Sequence, residues 1–498
     1  MKKLIIARRI SQTFFLLLFI YILWSTTYPL KGLLPPETFF KTNPLIMIFT
    51  SISERLILPG LAFAIAMLLL TLVLGRFYCG WVCPLGTMID GTGAFRKTKF
   101  RPVSNEVNRK IRKIKFYILG IIALISLAGM QVAWVLDPVV IMARFVSLNL
   151  IPTATLVLDR SFSILIQNFN LYGPVYDAYR ALKSSVLGVE VHYFASSPVI
   201  FMFFVFVIST VFIMPRFWCR AVCPLGALYA LTARFSLLRR VVQKCAHCRV
   251  CVSACRMGAI LDDRSYVKGE CILCMDCVYG CPQNTIKFTW PGAGKLEGEN
   301  RGISRKDFVF LLFSSVFLMG FRWRKKAGEA GLIRPPAALK EADFLDRCIR
   351  CGNCMKVCPT NGLQPTMLQA GIEGIWTPHL VPEIGWCEYN CALCGSVCPT
   401  GAITKVTHKQ KLVTKLGTAK VDRTKCIAWA YNQECLVCEE HCPVADKAIK
   451  IVKEGGDISV GKPVVDPSLC VGCGICQNKC PVTPVRAIRV SPEGADRM

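Results

Sequence analysis

Twenty-four of the 28 cysteines in this 498-residue chain fall into six sets of four, and that commitment limits how the chain can fold. The first set is Cys245, Cys248, Cys251 and Cys255; the second is Cys271, Cys274, Cys277 and Cys281. Both read C-x2-C-x2-C-x3-C. Four more sets follow: Cys348, Cys351, Cys354, Cys358; Cys387, Cys391, Cys394, Cys398; Cys426, Cys435, Cys438, Cys442; and Cys470, Cys473, Cys476, Cys480. Five of the six end in Cys-Pro; Arg256 stands where the first would have its proline. After each set comes a short echo (GAI, NTI, NGL, GAI, KAI, RAI), so a half-unit is repeated six times. Thiolates at this spacing wrap a 4Fe–4S cube, and thiolate is the soft ligand that iron–sulfur chemistry needs. The prediction is a set of α+β, bacterial ferredoxin-like domains with six 4Fe–4S clusters.

In two-cluster runs the fourth cysteine ligates the other cluster. On that pattern Cys245, Cys248, Cys251 and Cys281 hold one cluster, and Cys271, Cys274, Cys277 and Cys255 hold the second. For the last four sets two pairings stay open: neighbours exchange fourth cysteines, or the first pairs with the fourth and the second with the third.

The rest of the chain is apolar. It is 53% hydrophobic, with mean hydropathy +0.44 and a formal charge of +28. Apolar runs cover about Thr13 to Tyr28, Leu56–Leu74, Phe116–Leu136 and Pro198–Met214, and a fifth covers 304–321. The first four are near the ~20 residues of a bilayer crossing, whereas the fifth is short and followed by Arg322, Arg324, Lys325 and Lys326: it is either a span with 327–498 outside or an interfacial helix with all six clusters in the cytoplasm. The expectation is an α-helical membrane bundle of four to five spans. The first run is an uncleaved helix, since no small-residue cleavage site follows it.

Basic residues cluster beside these runs. Lys2, Lys3, Arg8 and Arg9 open the chain, nine Lys/Arg lie in 96–115, and seven arginines and lysines lie in 216–249 without an acid. The positive-inside rule puts these on the cytoplasmic side and the charge-poor stretches 30–54 and 137–197 on the outer side. It also explains the basic charge without nucleic acid, for which none of the chain provides a dedicated stripe. The segments are then 1–240, a membrane domain; 241–290, a two-cluster domain; 291–326, a Gly-rich linker and the fifth apolar run; and 327–498, a four-cluster domain.

The remaining cysteines lie in a duplication, Arg76-Phe-Tyr-Cys79-Gly-Trp-Val-Cys83-Pro84 and Arg216-Phe-Trp-Cys219-Arg-Ala-Val-Cys223-Pro224. With i, i+4 spacing each pair shares a helix face, and each proline then redirects the chain. The four thiols can form a seventh cluster or other metal site, act as a redox dithiol, or simply pack. Among the five histidines none lies in the apolar runs and no C-x2-C-H occurs, which excludes haem; His247 and His441 lie inside cluster loops. No strand–GxGxxG–helix fingerprint for a nucleotide is present. Asp137 can accept a proton from a quinol or cap a helix.

Residues 1–289, with paired C-x3-C-P and a two-cluster tail, resemble the NapH-type membrane ferredoxins, whose membrane module is similar to that of NosR- and CcoG-type proteins. Residues 303–498, from Ser304-Arg305-Lys306-Asp307-Phe308 through LIRPPAALKEADFLDRCIRCGNCMKVCP, resemble the NapG-type four-cluster ferredoxins. The resemblance implies an inner-membrane protein that takes electrons from quinol, its substrate in the quinone pool, and passes them to a redox partner, a periplasmic reductase or cytochrome. It implies export of 327–498 by a twin-arginine signal, from which Lys306 departs. The CcoG and NosR likeness implies an alternative, a metal-reducing or cofactor-maturation factor.

Overall fold

The computed structural model describes residues 2–30, 32–96, 104–170, 173–183, 192–243, 245, 247–290, 331–453 and 460–498. The linker and fifth apolar run, with Lys306, lie outside the described residues. Packing divides the chain into two units, which cut across the linear segments. One lies within Met1–Ile22, Glu37–Phe145 and Phe201–Lys326, the other within Leu23–Pro36, Val146–Ile200 and Ala327–Met498.

The first unit is mostly helical. Helix Lys2–Trp24 is followed by Pro44–Glu54, Leu61–Leu74, Phe77–Trp81, Pro84–Ala94 and Asn105–Leu127. Two described helices, Lys3–Trp24 and Pro138–Phe169, are long and apolar enough to cross a bilayer, against the four to five spans expected. Local breakers account for the difference. Pro59 and Gly60 delay the second helix to Leu61, and Gly75, at φ +84°, ends it at Leu74. The third helix ends at Leu127, before Gly129 at φ +87°, and begins earlier than expected, at Asn105. Its basic first turns are amphipathic, with Arg112 and Lys115 buried. The fourth runs Ser197–Ser209 and tightens into a 3-10 turn over Thr210–Phe212. The stretch after Asp137, assigned to the outer side by its low charge, carries the long helix Pro138–Phe169.

A second duplication lies inside this unit. Asn43-Pro44 and Asp137-Pro138 each open an apolar helix, with Pro at the position where a missing N–H costs nothing. Asn43 Oδ1 accepts from the amides of Leu45 (3.0 Å) and Ile46 (3.5 Å). Asp137 Oδ1 accepts from those of Val139 and Val140, both at 2.9 Å. The two caps are joined, Asn43 Nδ2 donating to Asp137 Oδ2 at 2.8 Å. Asp137 is thus a helix cap, the second of the two roles read for it.

The two-cluster segment belongs to the first unit and is closed by antiparallel strands Arg239–Val242 and Ile286–Thr289. The four-cluster segment is built from short helices and three two-stranded antiparallel sheets: Leu363–Pro365 with Pro378–Leu380, Thr418–Val421 with Ile488–Ser491, and Ile449–Val452 with Lys462–Val465. Apolar side chains and cysteines share its core: Ala419, Ile449 and Ile488 pack with Cys426, Cys442, Cys470 and Cys476.

Candidate iron–sulfur and membrane thiol sites

In the four-cluster segment the cysteines line three cavities. One, of about 380 Å³, is lined by Cys426, Cys435, Cys438 and Cys480. A second, of about 320 Å³, is lined by Cys470, Cys473, Cys476 and Cys442. A third, of about 390 Å³, is lined by Cys387, Cys391, Cys394 and Cys358. Cys348 and Cys354 pack with Cys398 in the same core cluster, and Cys354 feels the charge of Cys351 and Cys398. Each set therefore gathers three of its own cysteines and the fourth of its neighbour. Of the two pairings the sequence left open, the geometry has first with second and third with fourth.

Burial pushes the Cys387 thiol up to about 11 and the Cys438 and Cys473 thiols up to about 12. Such thiols stay protonated in neutral water, and iron must displace the protons to bind. The cavities, the donor set and these apolar walls fit 4Fe–4S clusters. The Cys470 sulfur also accepts from the Ala419 amide at 3.4 Å, the kind of bond that tunes a cluster's potential.

The second unit also gathers segments distant in sequence around this domain. Lys356 Nζ donates to the carbonyl oxygens of Trp24 (3.1 Å) and Thr26 (2.9 Å), a cation at a helix C-terminus. Asn361 and Gln364 donate to the Tyr193 carbonyl at 2.9 and 3.0 Å. His192 Nε2 lies 2.8 Å from the Cys358 carbonyl oxygen.

In the two-cluster segment Cys277 packs with Cys251, Cys255 and Cys281. Cys274 feels the charge of Cys255 and Cys271, and Cys251 that of Cys245 and Cys248. These neighbours fit the crossed assignment. Cys245 and Cys248 are exposed, whereas Cys274 and Cys277 are buried.

The four thiols of the duplicated C-x3-C-P turns, Cys79, Cys83, Cys219 and Cys223, are all buried and within electrostatic reach of one another. The pairs do not ride on one helix, as i, i+4 spacing led us to expect. Helix Phe77–Trp81 ends before Pro84, and Cys83 becomes the N-cap of Pro84–Ala94. In the second copy Cys219 lies in the π-turn Trp218–Val222 and Cys223 caps Pro224–Ala233. Proline lacks the N–H and clashes with the preceding turn, so neither helix continues. The cap sulfurs accept from Gly86 N at 3.4 Å and Gly226 N at 3.2 Å.

The arginine of each copy reaches into the other. Arg76 donates from Nε to its own Cys79 sulfur (3.3 Å) and from Nη2 to the Cys219 carbonyl (3.2 Å). Arg216 donates to the Cys79 carbonyl at 2.7 Å and the Gly86 carbonyl at 3.4 Å. Both guanidiniums are fully buried. Around them five cations share three carboxylates: Arg76 and Lys115 share Glu270, Arg216 and Arg256 share Asp90, and Arg256 and Arg8 share Asp276. Burial alone would raise the Glu270 carboxyl, but Lys115 and Arg76 hold it below its ordinary value. Sequence spacing pointed to the thiols but not to this crossed arginine pair; the Arg-Phe-aromatic-Cys repeat carried the signal.

Six four-cysteine sets on ferredoxin spacing define an iron–sulfur electron-transfer protein of the ferredoxin class. A model described as a 4Fe-4S binding domain matches residues 56–102, 196–244 and 392–418. A 4Fe-4S dicluster domain matches 270–361, and further 4Fe-4S binding domains match 463–483 and 243–258. The methylamine utilization ferredoxin-type protein MauM of Methylophilus methylotrophus is 32% identical over 204 residues, 39% of this chain and 88% of that protein. The ferredoxin-type protein NapG of Escherichia coli (strain K12) is 34% identical over 167 residues, 32% of this chain and 70% of NapG. The uncharacterized protein MJ0750 of Methanocaldococcus jannaschii is 26% identical over 303 residues, 58% of this chain and 98% of that protein. No solved structure matches. The chain belongs to the NapG/MauM family of ferredoxin-type proteins.

Proposed function

We propose that this chain is a multi-pass inner-membrane electron-transfer protein that oxidises quinol and relays the electrons through six 4Fe–4S clusters to a redox partner, a reductase or cytochrome on the outer side. The crossed sets of four cysteines are the observation that carries the relay. A quinol gives up two electrons and two protons, whereas each cluster passes one electron, so each turnover needs two passages along the chain.

Membrane residence is supported by apolar side chains left uncovered. Phe14 and Leu17 on the first helix, Phe63 and Leu69 on the second, and Met202 and Phe206 on the fourth are each more than half exposed. Such faces suit lipid and not water. The helices Leu61–Leu74 and Ser197–Phe212 are short for a crossing, and the cysteine turns beyond them extend the path. The first, third and these two helices are the proposed spans; the 304–321 run, expected from sequence as a fifth, lies outside the described residues.

What each cluster segment touches within its own unit supports a sidedness. The two-cluster segment packs beside basic Arg8, Arg76 and Lys115 of the first unit, the side assigned to the cytoplasm by charge. The four-cluster segment bonds to Trp24, Thr26 and Tyr193, around the charge-poor stretches assigned to the outer side. That supports a periplasmic position for 327–498. A fusion reporter at residue 498 tests it: alkaline phosphatase activity there is expected, and a cytoplasm-only reporter signal sinks the outward reading. The relay is tested by menaquinol or ubiquinol oxidation in proteoliposomes, with cluster bleaching followed optically. Clusters that stay oxidised with either quinol overturn it.

A further inference from the structure

We infer that Cys79, Cys83, Cys219 and Cys223 together ligate a seventh iron–sulfur centre, assembled two-plus-two across the duplication, which passes electrons to the Cys271 cluster. The inference deepens the relay proposed above and rests on it for the identity of the donor.

The first argument is one of charge. Beside the four thiols the buried cations Arg76, Lys115 and Arg216 face two carboxylates, Glu270 and Asp90, so this region carries surplus positive charge. Buried charge of one sign is costly unless it is paired. Four thiolates bound to iron supply the missing anion; four neutral thiols do not.

The second argument is the hydrogen bonding at sulfur. Cys79 receives Arg76 Nε–H, while Cys83 and Cys223 each receive an amide from the first turn of the helix they cap. Those donors and helix N-termini favour the anionic form of sulfur. Among the described residues no three His, Cys, Asp or Glu converge tightly enough for one metal ion. A 4Fe–4S cube holds its ligand sulfurs farther apart than the ~2.3 Å bonds of a single zinc ion would. The domain model for 4Fe-4S binding matches 56–102 and 196–244, yet each stretch contains only two cysteines. Neither can hold a cluster alone.

The third argument is contact with the next carrier. Gly80, between Cys79 and Cys83, lies so close to the Cys271–Cys274 loop that a Cβ there would meet the Ile272 carbonyl oxygen at 2.1 Å. Trp81 Nε1 donates to the Leu273 carbonyl at 3.1 Å, and Arg76 bonds Glu270 next to Cys271. The thiol site and the loop of the second cluster thus share backbone contact. A cluster held by the four thiols would take up one electron at a time, and this contact gives it a short path to a cluster held by Cys271, Cys274, Cys277 and Cys255.

The test is iron analysis and EPR-monitored redox titration of the full chain, purified without oxygen in detergent. Wild type should hold about 28 irons, and Cys79→Ser/Cys219→Ser should lose about four together with one reducible signal. About 24 irons, unchanged in the variant, overturns the seventh centre and leaves the six-cluster reading standing; Cys271→Ser tests that reading separately. Should the double variant not accumulate, Arg76→Gln decides. Loss of a cation and of an N–H···S bond should lower the midpoint potential of a single centre at unchanged iron content, whereas potentials that do not move overturn the assignment.

Discussion

The cluster domain and the membrane segments are both duplications whose copies complete each other, but they exchange different things. In the four-cluster domain each half-unit keeps three thiols and gives its fourth to the neighbour. In the membrane segments each copy keeps two thiols and sends an arginine across to the other. The ferredoxin exchange ties two half-units through the metal itself, so the domain's integrity depends on iron. The other exchange ties the copies through guanidinium–carbonyl bonds made by protein atoms alone. The contrast is one of means: the ferredoxin half-units share ligands, whereas the C-x3-C-P copies share guanidinium–carbonyl bonds.

The strongest way to break the comparison is to cut one exchange. Cys442→Ser should abolish the cluster whose other ligands are Cys470, Cys473 and Cys476 and leave that of Cys426, Cys435 and Cys438 in place. The loss should be about four irons per chain with the partner's EPR signal retained. Loss of the other signal instead would mean the fourth cysteines are not exchanged. On the membrane side Glu270→Gln leaves Arg76 and Lys115 buried beside each other without a counter-charge. Breaking such a buried network costs about 3–5 kcal/mol, to be read as a fall in thermal midpoint in detergent. A shift of under a degree would mean that solvent or lipid already screens the site.

Much of this was legible in residue spacing because the ligand sets are local. Three cysteines within ten residues announce a cluster whatever surrounds them. The exchange of fourth cysteines among the last four sets was not legible, because strand pairing between Thr418–Val421 and Ile488–Ser491 decides it across 70 residues of chain. The span lengths misled for a different reason: hydropathy counts apolar residues but does not weigh Pro59, Gly75 and Gly129, which cut the helices. Asx-Pro before an apolar run, at Asn43 and Asp137, was a readable start signal. That the two caps bond each other depends on tertiary packing.

Acid separates the two regions more gently. Burial, with Arg334 nearby, lowers His379 of the four-cluster domain from 6.5 to about 4. The unfolded chain therefore binds the extra proton first, and full stability holds above about pH 6.5. It is lost as pH falls from there toward 4, by about 3 kcal/mol if the whole shift is expressed. Urea midpoints of wild type and His379→Gln between pH 7.5 and 5 measure it. The difference between the two proteins should narrow or reverse as pH falls, and a constant difference would mean that His379 does not titrate in this window.

The smallest expected effect on stability carries the most information about function. Gly80→Ala adds one methyl group where the Ile272 carbonyl oxygen would be 2.1 Å away, and that neighbour is backbone, which cannot rotate aside. The Cys271–Cys274 loop must move away from the membrane thiols, at a cost of about 1–3 kcal/mol. Neither site loses a ligand, so iron content and midpoint potentials should stay at wild-type values. Tunnelling between centres falls steeply with distance, so the rate of reduction of the two-cluster domain by quinol should drop several-fold or more. Gly226→Ala is the counterpart in the second copy: its methyl meets Arg76 Nη2, which bonds the Cys219 carbonyl, and not the cluster loop. A rate loss confined to Gly80→Ala would identify the first copy as the side from which electrons leave. Equal losses in both would mean that the arginine crossing, and not the loop contact, governs transfer.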